Sequence, residues 1–214
     1  MVQEILKEVI KDNTSFRKDA SVYEELQDKQ TPHTTLITCS DSRVPVNVIK
    51  QDTVNAVFSI ENIGNQIKTA EGSVDYGVRH LKTPLLLILG HTQCGAVKAC
   101  FSDYSEETEG IQRELEFLSD GLAEMDSSFS ADDPKRLDKY AEANVDYQVK
   151  YAMEIYRDLV ESGQLSVVGM MMDFANSYSD EKGRVFITNY NGMKSGMDDV
   201  LGESFSGNIK RLVK

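Results

Sequence analysis

The apolar positions of this chain follow two periods, one helical and one strand-like, and their succession predicts most of its elements. Val2, Ile5, Leu6, Val9 and Ile10 fall at helical spacing. Asn13-Thr14-Ser15 then offers a cap for a second helix reaching about Gln27. Residues 34–38 read as a short buried strand and 53–60 as a second, rich in β-branched side chains. Asn62-Ile63-Gly64-Asn65 reads as a loop. Ala70, Val74, Val78 and Leu81 share one helical face, stopped by Pro84. Residues 85–89 are aliphatic throughout and too short for a helix, as a central parallel strand should be. Gly90-His91 ends that run, and Gly95 opens a short helix over 96–100.

The second half continues the pattern. After an acidic connection over 102–110, Ile111, Leu115, Leu118, Leu122 and Met125 mark a helix. Residues 127–133 are rich in Ser and Asp and read as a loop. Val145, Val149, Ala152, Met153, Tyr156, Leu159 and Val160 trace one face of a long helix, ended by Ser162-Gly163. Two further strands, 165–172 and 184–191, are joined by the turn-like stretch 177–183 and should form a hairpin. Strands alternating with helices predict an α/β fold: a mainly parallel sheet of about five strands flanked by helices, with an antiparallel edge strand at the C-terminal end. The whole chain, 1–214, reads as one domain with residues 1–30 as a helical arm.

Composition narrows the function. With 23 basic and 35 acidic residues the net charge is −12, which argues against a nucleic-acid surface. The aliphatic run 85–89 is far too short to span a membrane. The first thirteen residues form a charged amphipathic segment without a signal-peptide core, so a cytoplasmic location is expected. Three cysteines do not make a disulfide framework.

Two of those cysteines sit where predicted strands end. Cys39-Ser40-Asp41-Ser42-Arg43 follows the first strand, and His91-Thr92-Gln93-Cys94 follows the third. Two thiols and one imidazole are a ligand set that zinc favours, with a fourth position for Asp41 or water. In parallel sheets, ligands bind beyond the carboxyl ends of the strands where strand order reverses. If strands one and three are neighbours, Cys39, His91 and Cys94 converge there. Arg43 can hold Asp41 by a charge-assisted pair and leave the fourth position open; otherwise Asp41 fills it. Cys100 lacks such a setting and is assigned to packing. No glycine-rich phosphate loop follows the first strand, which weakens a nucleotide-binding reading.

Taken together, these motifs resemble the two signatures of the beta-class carbonic anhydrases, Cys-x-Asp-x-Arg and His-x-x-Cys. The similarity runs from about Gln30 to Cys100 and resumes over 164–174. It implies one zinc ion per chain on Cys39, His91 and Cys94, with Asp41 and Arg43 as the family's gating dyad. It implies reversible hydration of carbon dioxide to bicarbonate and a proton by hydroxide held on zinc. It also implies a homodimer or larger homo-oligomer whose N-terminal helices reach across. Gln30 lies nine residues before Cys39, Phe58 nineteen after it, and Tyr76 fifteen before His91. Those offsets match the pocket residues of the plant-like branch, with Gly95 beside them. Glu61 stands where the family often has Arg. Leu36 and Thr38 stand where some bacterial members carry Trp and Gly at an inhibitory bicarbonate site, so that site is expected to be absent. Two alternatives stay open: hydrolysis of carbonyl sulfide or carbon disulfide at the same site, and a non-catalytic zinc or thiol sensor.

Overall fold

The computed structural model describes residues 2–16, 23–24, 26–123 and 133–213. It divides into two compact units, Met1–Thr31 and Pro32–Lys214. The first contains helix α1 (Val2–Phe16). The expected cap at residues 13–15 lies inside this helix. Thr14 and Ser15 turn their hydroxyls back onto the carbonyls of Ile10 and Lys11, so neither caps a new helix. Much of the expected second helix lies outside the described residues, as do Met125 and most of the loop over 127–133.

The second unit is built on a five-stranded sheet of order β2-β1-β3-β4-β5. Its strands are β1 (Thr34–Cys39), β2 (Val57–Asn62), β3 (Leu85–His91), β4 (Ser166–Asp173) and β5 (Arg184–Tyr190). The first four are parallel, and β5 runs antiparallel to β4. The chain steps from β1 outward to β2, then back across β1 to β3. Strand order therefore reverses between β1 and β3, which are direct neighbours.

The aliphatic run of β3 and the wholly buried Thr34–Cys39 segment of β1 follow from burial on both faces. Ile37, Leu86 and Ile88 point to one side, against Val145 and Val149. Leu36, Leu87 and Leu89 point to the other, against Val44 and Met197. The first face is covered by α4 (Glu109–Leu122) and α5 (Pro134–Ile155), which is followed by the short α6 (Arg157–Glu161). Between β2 and β3 runs α2 (Glu71–Asp75), which widens into a π-turn at Tyr76–His80. Between β3 and α4 lies α3 (Gly95–Ala99), and α7 (Met197–Leu201) follows β5.

Three boundaries depart from the periodicity. Residues 53–56 form a turn instead of the start of β2, because Asn55 takes a left-handed conformation (φ 54°) and Ala56 N–H closes on the Thr53 carbonyl at 3.1 Å. Strand β3 runs through Gly90 and His91, which pair with Met171 and Met172. The helix expected from 145 begins at Pro134, where Asp133 caps it by accepting from the N–H groups of Lys135 and Arg136. It breaks at Tyr156, a fully buried residue whose hydroxyl donates to Asp75 at 2.8 Å.

Candidate metal centre

The site forms where β1 and β3 end, at the reversal of strand order. Cys39 is the last residue of β1 and His91 the last of β3. Beyond His91, Cys94 directly precedes the first turn of α3. That short path is possible because Gln93 adopts a left-handed conformation (φ 55°), which turns the loop back on itself. The ligand atoms of Cys39, His91 and Cys94 lie within 4.8 Å of one another, and all three residues are buried.

His91 is prepared as a ligand. Its Nδ1 lies 2.9 Å from the Thr92 carbonyl oxygen, so Nδ1 carries the proton and donates it there. Nε2 is left with a lone pair, fully buried and without a hydrogen-bond partner. An orphaned acceptor facing two thiols is costly in a protein interior unless a cation completes it. The thiols themselves share a proton. Cys94 donates to Cys39, and this bond, together with the Gly64 N–H, holds the Cys39 thiol down to about 4 against the effect of burial. Facing the Cys39 charge, and buried itself, Cys94 is pushed well above the usual thiol range, although the N–H groups of Val97 and Ala96 favour its thiolate. Two sulfurs and one nitrogen, with a fourth tetrahedral position left over, are a donor set that zinc takes at catalytic centres. The residues therefore fit the ion. Cys100, by contrast, directs its thiol to the Leu115 carbonyl and is pushed up to about 12 by burial.

Asp41 stands at the edge of this cluster, its Oδ2 3.8 Å from His91 Nε2. Arg43 holds it in a fork: Nε donates to Oδ1 at 2.8 Å and Nη2 to Oδ2 at 2.6 Å, with the Arg43 backbone N–H adding a bond of 3.0 Å. The guanidinium keeps the Asp41 carboxyl far below the ordinary carboxylate range, so it is charged at any working pH. Two further contacts hold the guanidinium. Nη2 reaches the Gln93 carbonyl at 3.3 Å, and Cζ sits 4.4 Å above the Phe174 ring. Phe174 also stacks on His91, with ring centroids 5.5 Å apart.

Gly95 lies next to Cys94 at an exposed position where an added Cβ would meet nothing. Phe58 and Tyr76 stack on each other at 5.7 Å, away from the metal end of the sheet. Phe58 pairs with Thr35, four residues before Cys39 along the strand, which is roughly 13 Å at the usual rise. Tyr76 remains 45 % exposed. Gln30 belongs to the N-terminal unit. The sequence reading missed Phe174 and the buried Asp138, which accepts from the Gln93 N–H at 2.6 Å. A signal existed for the second: Asp138, Glu142 and Asp146 recur every four residues on α5, and all three are buried.

Comparison with known proteins gives the site a context. The family profile described as carbonic anhydrase matches residues 34–179. A carbonic anhydrase of Helicobacter pylori is 30 % identical over 193 residues, covering 82 % of this chain and 84 % of that protein. One from Mycolicibacterium smegmatis is 37 % identical over 93 residues, 42 % of this chain and 45 % of that protein. Among solved structures, the beta-carbonic anhydrase of Coccomyxa, in complex with acetazolamide, superposes with a TM-score of 0.69 at 25 % identity, covering 93 % of this chain and 89 % of that one. A match that takes in both ligand loops and four of the five strands shows that the chain belongs to the carbonic anhydrase family, with the fold of its beta class.

Proposed function

We propose that the protein reversibly hydrates carbon dioxide to bicarbonate and a proton, using one zinc ion held by Cys39, His91 and Cys94. The observation that carries this reading is the pairing of the buried two-thiol, one-imidazole cluster with an Asp41 carboxylate turned towards Arg43. When bound, zinc supplies a water acidic enough to act as a hydroxide nucleophile near pH 7. The chain supplies the rest. The two thiolates offset the ion's charge, and the Thr92 carbonyl fixes the His91 tautomer. The fork from Arg43 holds Asp41 by both oxygens and would leave the fourth position to water. Asp41 Oδ2, 3.8 Å from His91 Nε2, would accept an O–H held beside the ligands and keep its proton away from the substrate carbon. Phe174 gives the pocket an apolar wall that suits a linear, uncharged substrate.

The reading extends to an assembly. Gln30, Phe58 and Tyr76 carry the plant-like offsets, and we assign them to the pocket of a neighbouring copy. Their distance from the cluster within one chain supports that assignment for Phe58. The exposed apolar face of α1, with Val2, Ile5, Leu6, Val9 and Ile10 more than half accessible, supports a homodimer or larger homo-oligomer with residues 1–30 as its arm. A monomer in sedimentation at micromolar concentration would remove this part. A cytoplasmic setting fits, because Cys39 and Cys94 ligate only while reduced. Among the described residues no helix is long and apolar enough to cross a membrane.

The substrate is tested by measuring hydration of carbon dioxide and hydrolysis of carbon disulfide side by side on protein of known zinc content. Hydration is expected to dominate by orders of magnitude. Zinc-loaded protein that turns over carbon disulfide and not carbon dioxide would replace the proposal.

A further inference from the structure

Arg43 is held by more than its partner carboxylate, and both additional contacts lead back to one buried residue. The Gln93 carbonyl accepts from Arg43, and the Phe174 ring lies beneath its guanidinium. Gln93 belongs to the loop between His91 and Cys94. Phe174 opens the loop that follows β4. These loops come from different strands, and side-chain hydrogen bonds tie each of them to Asp138 on α5.

Asp138 is completely buried. Its Oδ1 accepts from the Gln93 backbone N–H at 2.6 Å and from Gln93 Nε2 at 2.9 Å. A bond of 3.1 Å from Nε2 to the Pro134 carbonyl anchors the same side chain to the start of α5. The other oxygen, Oδ2, accepts from the Ser177 hydroxyl. Ser177 sits in the loop whose backbone N–H groups, from Ala175 to Ser179, converge on Asp173. One carboxylate thus fixes the left-handed Gln93, whose carbonyl faces Arg43, and the loop that presents Phe174.

We infer that Asp138 is a positioning residue for Arg43: it clamps the two loops that hold the guanidinium and so keeps Asp41 turned away from the metal. The inference rests on the catalytic reading of the Asp41–Arg43 pair. It goes further by placing the control of that pair on a helix that contributes no ligand. Asp138 touches neither the ligand atoms nor the substrate position, and it acts through hydrogen bonds in place of charge transfer.

Two variants separate the clamp from mere packing. In Asp138→Asn the amide oxygen retains the Gln93 contacts and the amide nitrogen donates to Ser177. In Asp138→Ala both clamps are lost. The first readout is the Arg43 Nε–H resonance of the metal-free protein, which does not depend on turnover. It is expected to exchange slowly in wild type and Asp138→Asn, and about tenfold faster or more in Asp138→Ala. In zinc-loaded protein with one ion per chain, kcat/KM should fall about 10- to 100-fold in Asp138→Ala, the range for outer-shell partners, and recover in Asp138→Asn. The fall should lie in kcat. If Asp138→Ala does not fold, Asp138→Thr carries the same expectations, because it fills more volume yet reaches neither loop.

Unchanged Arg43 exchange in the variant that lacks the clamp would overturn the inference. So would an Asp138→Asn variant as impaired as Asp138→Ala. Failure of the catalytic reading is separable: wild-type protein carrying zinc would then be inactive, while the exchange comparison would still decide the role of Asp138.

Discussion

At the scale of single residues, the site is defined by which atoms are left without partners and which share a proton. His91 Nε2 is the orphan, and the Cys39–Cys94 pair holds one proton between two sulfurs. This has a measurable consequence for zinc binding, which requires both thiolates. In the metal-free protein Cys39, held down to about 4, is already ionised at pH 8, whereas Cys94, pushed up, still carries its proton. Binding zinc at pH 8 should therefore release about one proton from the thiols, not two. Affinity should fall about tenfold for each unit of pH lowered while a single proton is displaced. Calorimetry in buffers of different ionisation enthalpy counts the protons. Release of two would mean that Cys39 is also protonated without metal. At this scale the sequence was most informative for the ligands. Cys39 and His91 end recognisable strands, Cys94 follows just beyond the second, and the three types together point to a metal. Phe174 and Asp138 were not legible in the same way. An aromatic after a strand and an acid on a helix each have many ordinary uses, and only the fold brings them to Arg43 and Gln93.

At the scale of elements, the question is what fixes the ends of β1 and β3 relative to α5. Gly90 answers much of it. A Cβ added there would lie 2.5 Å from a methyl of Val145 and 2.8 Å from the Met171 sulfur. The absence of a side chain lets α5 pack tightly on the residue directly before His91. Gly90→Ala should destabilise the protein by about 1–3 kcal/mol through overpacking and weaken zinc binding by displacing His91. Denaturant unfolding of the metal-free form and zinc titration measure the two effects; an alanine variant as stable as wild type would show that the helix yields freely. Elements were legible where burial is apolar. Strand β3 reads directly from its aliphatic run, and β1 from a short segment rich in β-branched residues. The first part of α5 is mixed: Leu137, Tyr140 and Ala141 continue its apolar face, but Asp138, Glu142, Asn144, Asp146 and Gln148 are buried among them. These polar groups serve loops and the C-terminal segment: Asn144 binds the Gly64 carbonyl at 2.8 Å, Gln148 accepts from Ile67 at 2.9 Å, and Glu142 and Asp146 pair with Arg211. A periodicity counted in apolar residues is diluted on a helix that also buries hydrogen bonds. The false start of β2 has a different cause. Its β-branched residues suggest a strand, but Asn55 tolerates the left-handed turn that interrupts it.

At the scale of the whole molecule, strand order does the work that no local pattern can. The step from β1 to β2 and back across to β3 is what joins two motifs about fifty residues apart into one centre. The order is not encoded in any one strand, so the meeting of the motifs followed from chemistry and the rule for parallel sheets. The same order places Phe58 on the outermost strand, beside Tyr76. The central claim is that the Cys39–His91–Cys94 cluster holds the zinc on which hydration depends. Its most direct test is zinc content and stopped-flow carbon dioxide hydration, measured on the same samples of wild type and Cys94→Ser. Wild type should carry about one zinc per chain and hydrate carbon dioxide rapidly, and Cys94→Ser should lose both. Hydration that persists in a variant without zinc would contradict the claim.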